Sequence, residues 1–245
     1  MIKQLVGQRC IISGGSRGIG LAIARLFARE GAGCTLVGRN VESLTSAKES
    51  LELIHDSQRH DIVSFDVSSI NGWEKLGADT KAEKTDILVN AAGISQNSFL
   101  FKTSAPDIDS LVATNLMGTI WGCKLFIPKM MKQRNGCIIN VSSLLATHGG
   151  RGSSIYAASK AGVVGLTRSL AWEVGRFGIR ANVLLPGYIQ TDMTKGMDND
   201  GELSALIPMG RLGLVEEVAE AALFLAKCSY AHNCVLNIDG GLSAT

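Results

Sequence analysis

Short apolar runs alternate with longer helical patterns along this whole chain, and that alternation limits the folds open to it. Strand-like runs fall at 9–13, 33–38, 61–65, 85–89, 136–141, 180–185 and 234–238. Helix-like patterns fall at 18–30, 42–54, 70–78, 105–133, 155–177 and 215–227. The strand runs lack polar alternation: Ile87-Leu88-Val89 and Cys137-Ile138-Ile139 are apolar throughout. Strands buried on both faces belong to a parallel sheet covered by helices, with right-handed crossovers between strands. The expected fold is α/β, one doubly wound domain over 1–245 with a seven-stranded parallel sheet and helices on both faces. The segment 187–213, rich in Gly, Met and Asp, is too long for an ordinary connection and is expected to form a small substrate lid.

Composition removes other classes. The 24 Lys+Arg against 22 Asp+Glu leave a net charge of +2, without the basic field of a nucleic-acid binder. No uninterrupted run approaches the roughly 18 apolar residues of a membrane helix; Leu111 to Met131 is broken by Asn115 and Lys124. The six cysteines and four histidines show no metal-ligand spacing, so no metal site is expected. Cys10, Cys34 and Cys137 sit in apolar runs, where a free thiol acts as a small hydrophobe. A strand starting near Arg9 leaves little chain ahead of it for a leader. The expectation is a soluble protein of a reducing compartment, cytoplasm or mitochondrial matrix.

Ser13-Gly14-Gly15-Ser16-Arg17-Gly18-Ile19-Gly20 follows the first strand-like run and opens a helix. Glycines there let the backbone approach a pyrophosphate, and the helix N-terminus offers unpaired N–H groups and partial positive charge, as in Rossmann dinucleotide sites. The second strand-like run ends Leu36-Val37-Gly38-Arg39-Asn40, with no acid between Gly31 and Val41 to accept from an adenosine ribose 2′-OH. Arg39 and Arg17 are instead suited to a 2′-phosphate, so the expected cofactor is NADPH/NADP+.

Tyr156-Ala157-Ala158-Ser159-Lys160 puts a phenol and an ammonium one helical turn apart on one face. A nearby cation stabilises a phenolate and brings a phenol closer to working pH. The pair follows Val141-Ser142-Ser143, at the end of a buried strand, where open α/β sheets bind ligands.

With these pieces in place, the sequence resembles the short-chain dehydrogenase/reductase family over essentially its whole length. The matching elements, in order, are Ser13-Gly14-x-x-x-Gly18-x-Gly20, Asp66-Val67, Asn90-Ala91-Ala92-Gly93, Asn115, Ser143, Tyr156-x-x-x-Lys160, Pro186-Gly187 and Asp239-Gly240-Gly241. The resemblance implies that Tyr156 gives a proton to a substrate carbonyl oxygen and that Ser143 hydrogen-bonds that oxygen. Lys160 would lower the pKa of Tyr156 and hold the nicotinamide ribose, while Asn115 would anchor a proton-carrying water. Asp66 and Val67 would contact adenine, Asn90, Ala91 and Gly93 would line the cofactor, and Pro186, Gly187, Ile189 and Thr191 would close over the nicotinamide.

Within the family the chain most resembles 3-oxoacyl-[acyl-carrier-protein] reductases of fatty-acid synthesis. That likeness rests on Gly15–Gly20, on Pro186-Gly187-Tyr188-Ile189-Gln190-Thr191-Asp192-Met193-Thr194, and on Ile207-Pro208-Met209-Gly210-Arg211-Leu212-Gly213. It implies an acidic carrier as partner, docking on a basic patch around Lys129, Lys132, Arg134 and Arg176; Phe177 stands where relatives carry a second docking cation. It also implies a homo-oligomer, usually a tetramer, assembled through 105–133 and 155–177. Gly118, Gly122, Gly162 and Gly165 would allow close helix approach there. A broader carbonyl or quinone reductase with the same catalytic residues, and a non-catalytic nucleotide-binding subunit of a hetero-oligomer, remain open at this point.

Overall fold

A computed structural model describes residues 5–79, 84–198 and 200–244. Seven strands form one sheet: β1 (Arg9–Ser13), β2 (Gly33–Gly38), β3 (Asp61–Ser64), β4 (Ile87–Asn90), β5 (Gly136–Val141), β6 (Ile179–Pro186) and β7 (Val235–Ile238). Every pairing is parallel, in the order β3-β2-β1-β4-β5-β6-β7. The chain builds outward from β1 to β3, then returns to place β4 on the other side of β1. Loops leaving β1 and β4 therefore diverge to opposite faces and open a crevice at the strands' C-terminal ends.

Both faces of the sheet are covered, which accounts for the unalternated strand sequences. Cys10 and Ile12 of β1 pack with Ile23 and Phe27 of α1 (Gly18–Arg29) and with Val218 and Leu225 of α9 (Val215–Lys227). Ile11, Leu88 and Ile138 point the other way, against Trp73 of α3 (Ile70–Asp79), Phe126 and Met130 of α5 (Gly118–Gln133), and Leu170 and Val174 of α7 (Ser154–Val174). All six cysteines are free, four of them buried.

The elements depart from the sequence pattern in a few places. The helix expected over 42–54 stops as α2 (Val41–Glu49), and Gln58 organises the loop that follows. Its Nε2 donates to the Ala28 and Ala32 carbonyls, and its Oε1 accepts from Ile54 N. The helical run 105–133 is continuous but not uniform: α4 (Ala105–Val112) passes through one π-helical turn (Ala113–Met117) into α5. By length and composition this 29-residue helix is apolar enough to cross a bilayer, yet Leu111, Phe126 and Met130 are buried within the protein. Two short helices lacked a sequence signal, α6 (Leu145–His148) and α8 (Glu202–Leu206), the latter inside the expected lid.

Three of the four glycines expected to pack between subunits are used within this chain. A Cβ at Gly118 would meet Val67, one at Gly122 would meet Asn90 and Trp73, and one at Gly162 would meet Leu116; only Gly165 faces open space.

Trp73 joins the core to the crevice. It is fully buried, edge-on to Phe65 and Phe126, and its Nε1 donates to the Val67 carbonyl at 2.9 Å. Trp73→Ala is expected to cost about 3–5 kcal/mol, and Trp73→Phe about 1 kcal/mol for the lost hydrogen bond plus a smaller packing loss, read as shifts in the urea midpoint.

Candidate active site

The loop between β1 and α1 is fastened to β2 by its own backbone. Gly14 N and Gly15 N both donate to the Val37 carbonyl, at 2.9 and 3.3 Å. Gly14 has φ +70°, and a Cβ there would lie 2.7 Å from Ala92 N; a Cβ at Gly20 would overlap the Gly14 carbonyl. These positions hold no side chain because the loop is folded onto itself and onto the strand beside it. No side chain caps the first turn of α1, and no acid lies in it, so its free N–H groups suit an anion.

Two contiguous cavities occupy the crevice. The first, about 400 Å³, is lined by Gly14, Ser16, Arg17, Gly18, Ile19, Gly20, Arg39, Asp66, Val67, Ala91, Gly93 and Thr191 among others. The second, about 470 Å³, holds Ser143, Tyr156, Lys160, Pro186, Gly187 and Ile189, and shares Ile19, Ala91, Gly93 and Thr191 with the first. The glycine loop, the bare end of β2 and a buried lysine beside a tyrosine thus suit a dinucleotide lying across both cavities. Arg17 meets Asp192 of the 187–213 segment at 3.5 Å across the mouth, both largely exposed. Asp66 accepts from Ser68 N and Ser68 Oγ in a tight local turn.

Ser13 and Asn90 stand behind the wall. Ser13 Oγ accepts from Ala92 N at 3.4 Å, holding the β4 extension against the glycine loop. Asn90 Nδ2 donates to Asn140 Oδ1 at 2.8 Å, inside a buried polar group with Cys123, and its Oδ1 has no hydrogen-bond partner among the described residues. Asn90 was expected to line the cofactor; the alternation along β4 turns its side chain into the protein interior instead.

Ser143, Tyr156, Lys160 and Asn115 come together from β5, α7 and the π turn. Burial pushes the Tyr156 hydroxyl above its ordinary range, a hydrogen bond with Ser143 pulls it down, and nearby Tyr188 pushes it up. Ser143 Oγ accepts from Leu145 N at 3.2 Å, which leaves its own hydrogen free to donate. Lys160 is only 4% exposed. Its Nζ donates to the Val141 carbonyl at 2.9 Å and lies 5.7 Å from the Tyr156 ring centre. Burial lowers its pKa to about 8.

Asn115 is fully buried, and its amide clamps the segment after β4. Oδ1 accepts from Ile94 N at 2.8 Å, and Nδ2 donates to Ile94 O at 3.0 Å and to Ser159 Oγ at 3.3 Å. Both amide hydrogens are therefore spent on protein groups. A Cβ at Gly93 would come 3.3 Å from Asn115 Oδ1 and 3.4 Å from Lys160 Nζ, so the glycine is what lets these groups converge. Gln96, Arg151 and Tyr188 also line the second cavity. Tyr188 belongs to the Pro186–Thr194 run, whereas Gln96 and Arg151 belong to no motif and reach the site only through folding.

Lys160 makes the site costly to the fold. Below pH 8 the amine is charged in both folded and unfolded chains, and burying it costs about 3 kcal/mol. Between pH 8 and the unfolded pKa near 10.5 the native state has shed a proton that the unfolded chain keeps, so stability rises with pH and the penalty disappears. Lys160→Met, which orphans the Val141 carbonyl at a cost of about 1 kcal/mol, is expected to stabilise the nucleotide-free protein by about 2 kcal/mol at pH 7. That gain should be lost by about pH 10.5, as read from urea midpoints across pH.

Residues 8–202 match the family model for short chain dehydrogenase. The chain is 41% identical over 235 residues to carbonyl reductase family member 4 of Xenopus laevis, covering 95% of this chain and 97% of that protein. It is 41% identical to 3-oxoacyl-[acyl-carrier-protein] reductase of Bos taurus (96% and 98% covered) and 40% identical to that of Chlamydia muridarum (99% and 100% covered). Among solved structures, a short chain dehydrogenase/reductase family protein superposes with TM-score 0.91 at 33% identity, covering 99% of this chain and all of that one. A candidate NAD(P) dependent gluconate 5-dehydrogenase from Beutenbergia cavernae, with bound NADP at low occupancy, gives TM-score 0.90 at 32% identity with both chains fully covered. Family match, full-length relatives and crevice agree: this chain belongs to the short-chain dehydrogenase/reductase family, as an oxidoreductase that uses a nicotinamide cofactor.

Proposed function

We propose that the protein reduces the 3-oxo group of acyl thioesters carried on an acyl carrier protein, using NADPH. The observation that carries the reading is the pair of hydroxyl residues, Tyr156 and Ser143, that line one cavity beside buried Lys160, contiguous with the glycine-loop cavity. When bound, the nicotinamide cofactor supplies the hydride. Ser143 donates to the carbonyl oxygen and stabilises its growing negative charge. Tyr156 gives that oxygen its proton, and Lys160 would hold the cofactor's ribose hydroxyls. The preference for NADPH is supported by Arg17 and Arg39, which both line the first cavity where no acid ends β2.

The relatives named as 3-oxoacyl-[acyl-carrier-protein] reductases support the thioester substrate. So does the second cavity, whose lining includes Met193 and Met197, adaptable apolar side chains, and among the described residues contains no Asp or Glu. A second reading, reduction of other carbonyls or quinones, is favoured by the equal similarity to a carbonyl reductase.

The basic patch needs redrawing. Lys129 is turned inward, its Nζ donating to the Gly77 carbonyl at 2.7 Å and lying over Phe126. Lys132, Arg134 and Arg176 are exposed, and Phe177 is a platform for both guanidinium groups, at 5.9 and 4.8 Å. We take these three cations as the docking site. They lie at the C-terminal ends of α5 and α7, about 30 Å along α7 from Tyr156. A carrier docked there is better placed for the cleft of a neighbouring subunit than for its own. That arrangement fits a homo-oligomer packed through α5 and α7, where Trp172 is 89% exposed. The free cysteines support a reducing compartment.

NADPH oxidation should proceed with acetoacetyl thioesters, and Tyr156→Phe should lower it by about 10²–10⁴-fold. Quinone turnover without thioester turnover would reassign the substrate. Arg39→Ala should raise KM for NADPH about tenfold while leaving NADH use unchanged.

A further inference from the structure

Ser153, the residue at the N-cap of α7, makes no side-chain capping bond. The second and third residues of the helix, Ile155 and Tyr156, instead find an acceptor about 60 positions earlier in the chain. Gln96 Oε1 accepts from Ile155 N at 2.8 Å and from Tyr156 N at 3.1 Å. These are the N–H groups that a local N-cap side chain would serve.

The Gln96 amide is itself fixed. Nε2 donates to the Ser98 carbonyl at 2.9 Å and to Thr103 Oγ1 at 3.2 Å, and the residue is 7% exposed. Thr103 Oγ1 is in turn 2.7 Å from Ser98 Oγ, and Ser98 N donates to the Gly152 carbonyl just ahead of α7. Although Gln96 lines the second cavity, both its acceptor positions and both its hydrogens are occupied, so its polar groups are not free for substrate. The carbonyl of the same residue is also held: Ser159 Oγ donates to the Tyr156 carbonyl at 2.7 Å and accepts from Asn115 Nδ2.

We infer that Gln96 is a positioning residue for the reduction, a remote cap that sets the first turn of α7 and so fixes Tyr156 in the cavity it shares with Ser143. The inference rests on the reading of Tyr156 as proton donor. Without the acceptor, two part-buried N–H groups lose their partner, the first turn loosens, and Tyr156 shifts relative to Ser143.

The test is thioester reduction by Gln96→Met, which fills the space with no acceptor, and by Gln96→Glu, which keeps the acceptor and loses the two donors. Rates are taken per folded site, titrated by NADPH fluorescence. Gln96→Met should lower kcat about tenfold or more, with KM for NADPH within about twofold of wild type. It should also move the basic limb of the kcat/KM profile to higher pH, because Ser143 no longer helps Tyr156 ionise. Gln96→Glu should retain kcat within about threefold despite a lower melting temperature. Wild-type kcat and pH profile in Gln96→Met, or equal losses in both variants, would overturn the inference. If Gln96→Met does not fold, Thr103→Val loosens the amide from outside the cavity and should lower kcat about two- to fivefold with the same limb shift; an unchanged kcat and limb would count against the cap. A Tyr156→Phe enzyme that still turns over would defeat the proton-donor reading itself. An inactive Tyr156→Phe beside a fully active Gln96→Met would defeat only the role of Gln96.

Discussion

Parallel pairing of β1 with β4, ending at Ser13 opposite Asn90, is the constraint on which the crevice depends. Because the chain reverses its direction of growth there, the glycine loop and the segment after Asn90 leave the sheet side by side on diverging paths. Ser13 Oγ then ties the two segments together through Ala92 N. The first cavity lies above this seam, and the second lies above β5 and β6, whose ends deliver Ser143 and Pro186. Moving either strand by one residue would turn its side chains to the opposite face and dismantle the site.

The chemistry is placed by buried polar groups that do not themselves react. Asn115 fastens Ile94, Ser159 fastens the Tyr156 carbonyl, and Ser142 Oγ donates to the Lys160 carbonyl. Each satisfies its hydrogen bonds within the protein, so the cleft is rigid before any ligand arrives. Lys160 is the counterexample: its burial weakens the fold, and in the proposed function it would offset that by holding the cofactor's ribose hydroxyls.

Much of this was legible in the sequence because it is written locally. The seven strands, the glycine loop, the missing acid near Arg39 and the Tyr156–Lys160 spacing each depend on neighbouring residues. What was not legible depends on long-range closure. Asn90 was expected at the cofactor, but the pleat of β4 turns it inward. Lys129 was expected in a docking patch, but α5 carries it onto Phe126 and Gly77. Gln96 carries no local signal, since its partners at Ile155 and Tyr156 become neighbours only when α7 docks. Gly118, Gly122 and Gly162 have the spacing of an inter-helix seam and instead make room for Val67, Trp73 and Leu116.

The π turn between α4 and α5 also divides one helix into two parts by phase. An extra residue in a turn rotates everything beyond it by about 100° relative to a continuous α-helix. Before the turn α4 packs on α7; beyond it α5 packs on α3 and the sheet as well as on α7. One rod of 29 residues supplies both a wall for α7 and a plank of the core. Asn115, buried in the turn between them, sits where the two phases join, so the residue that clamps the cleft is also the one that marks the change of phase.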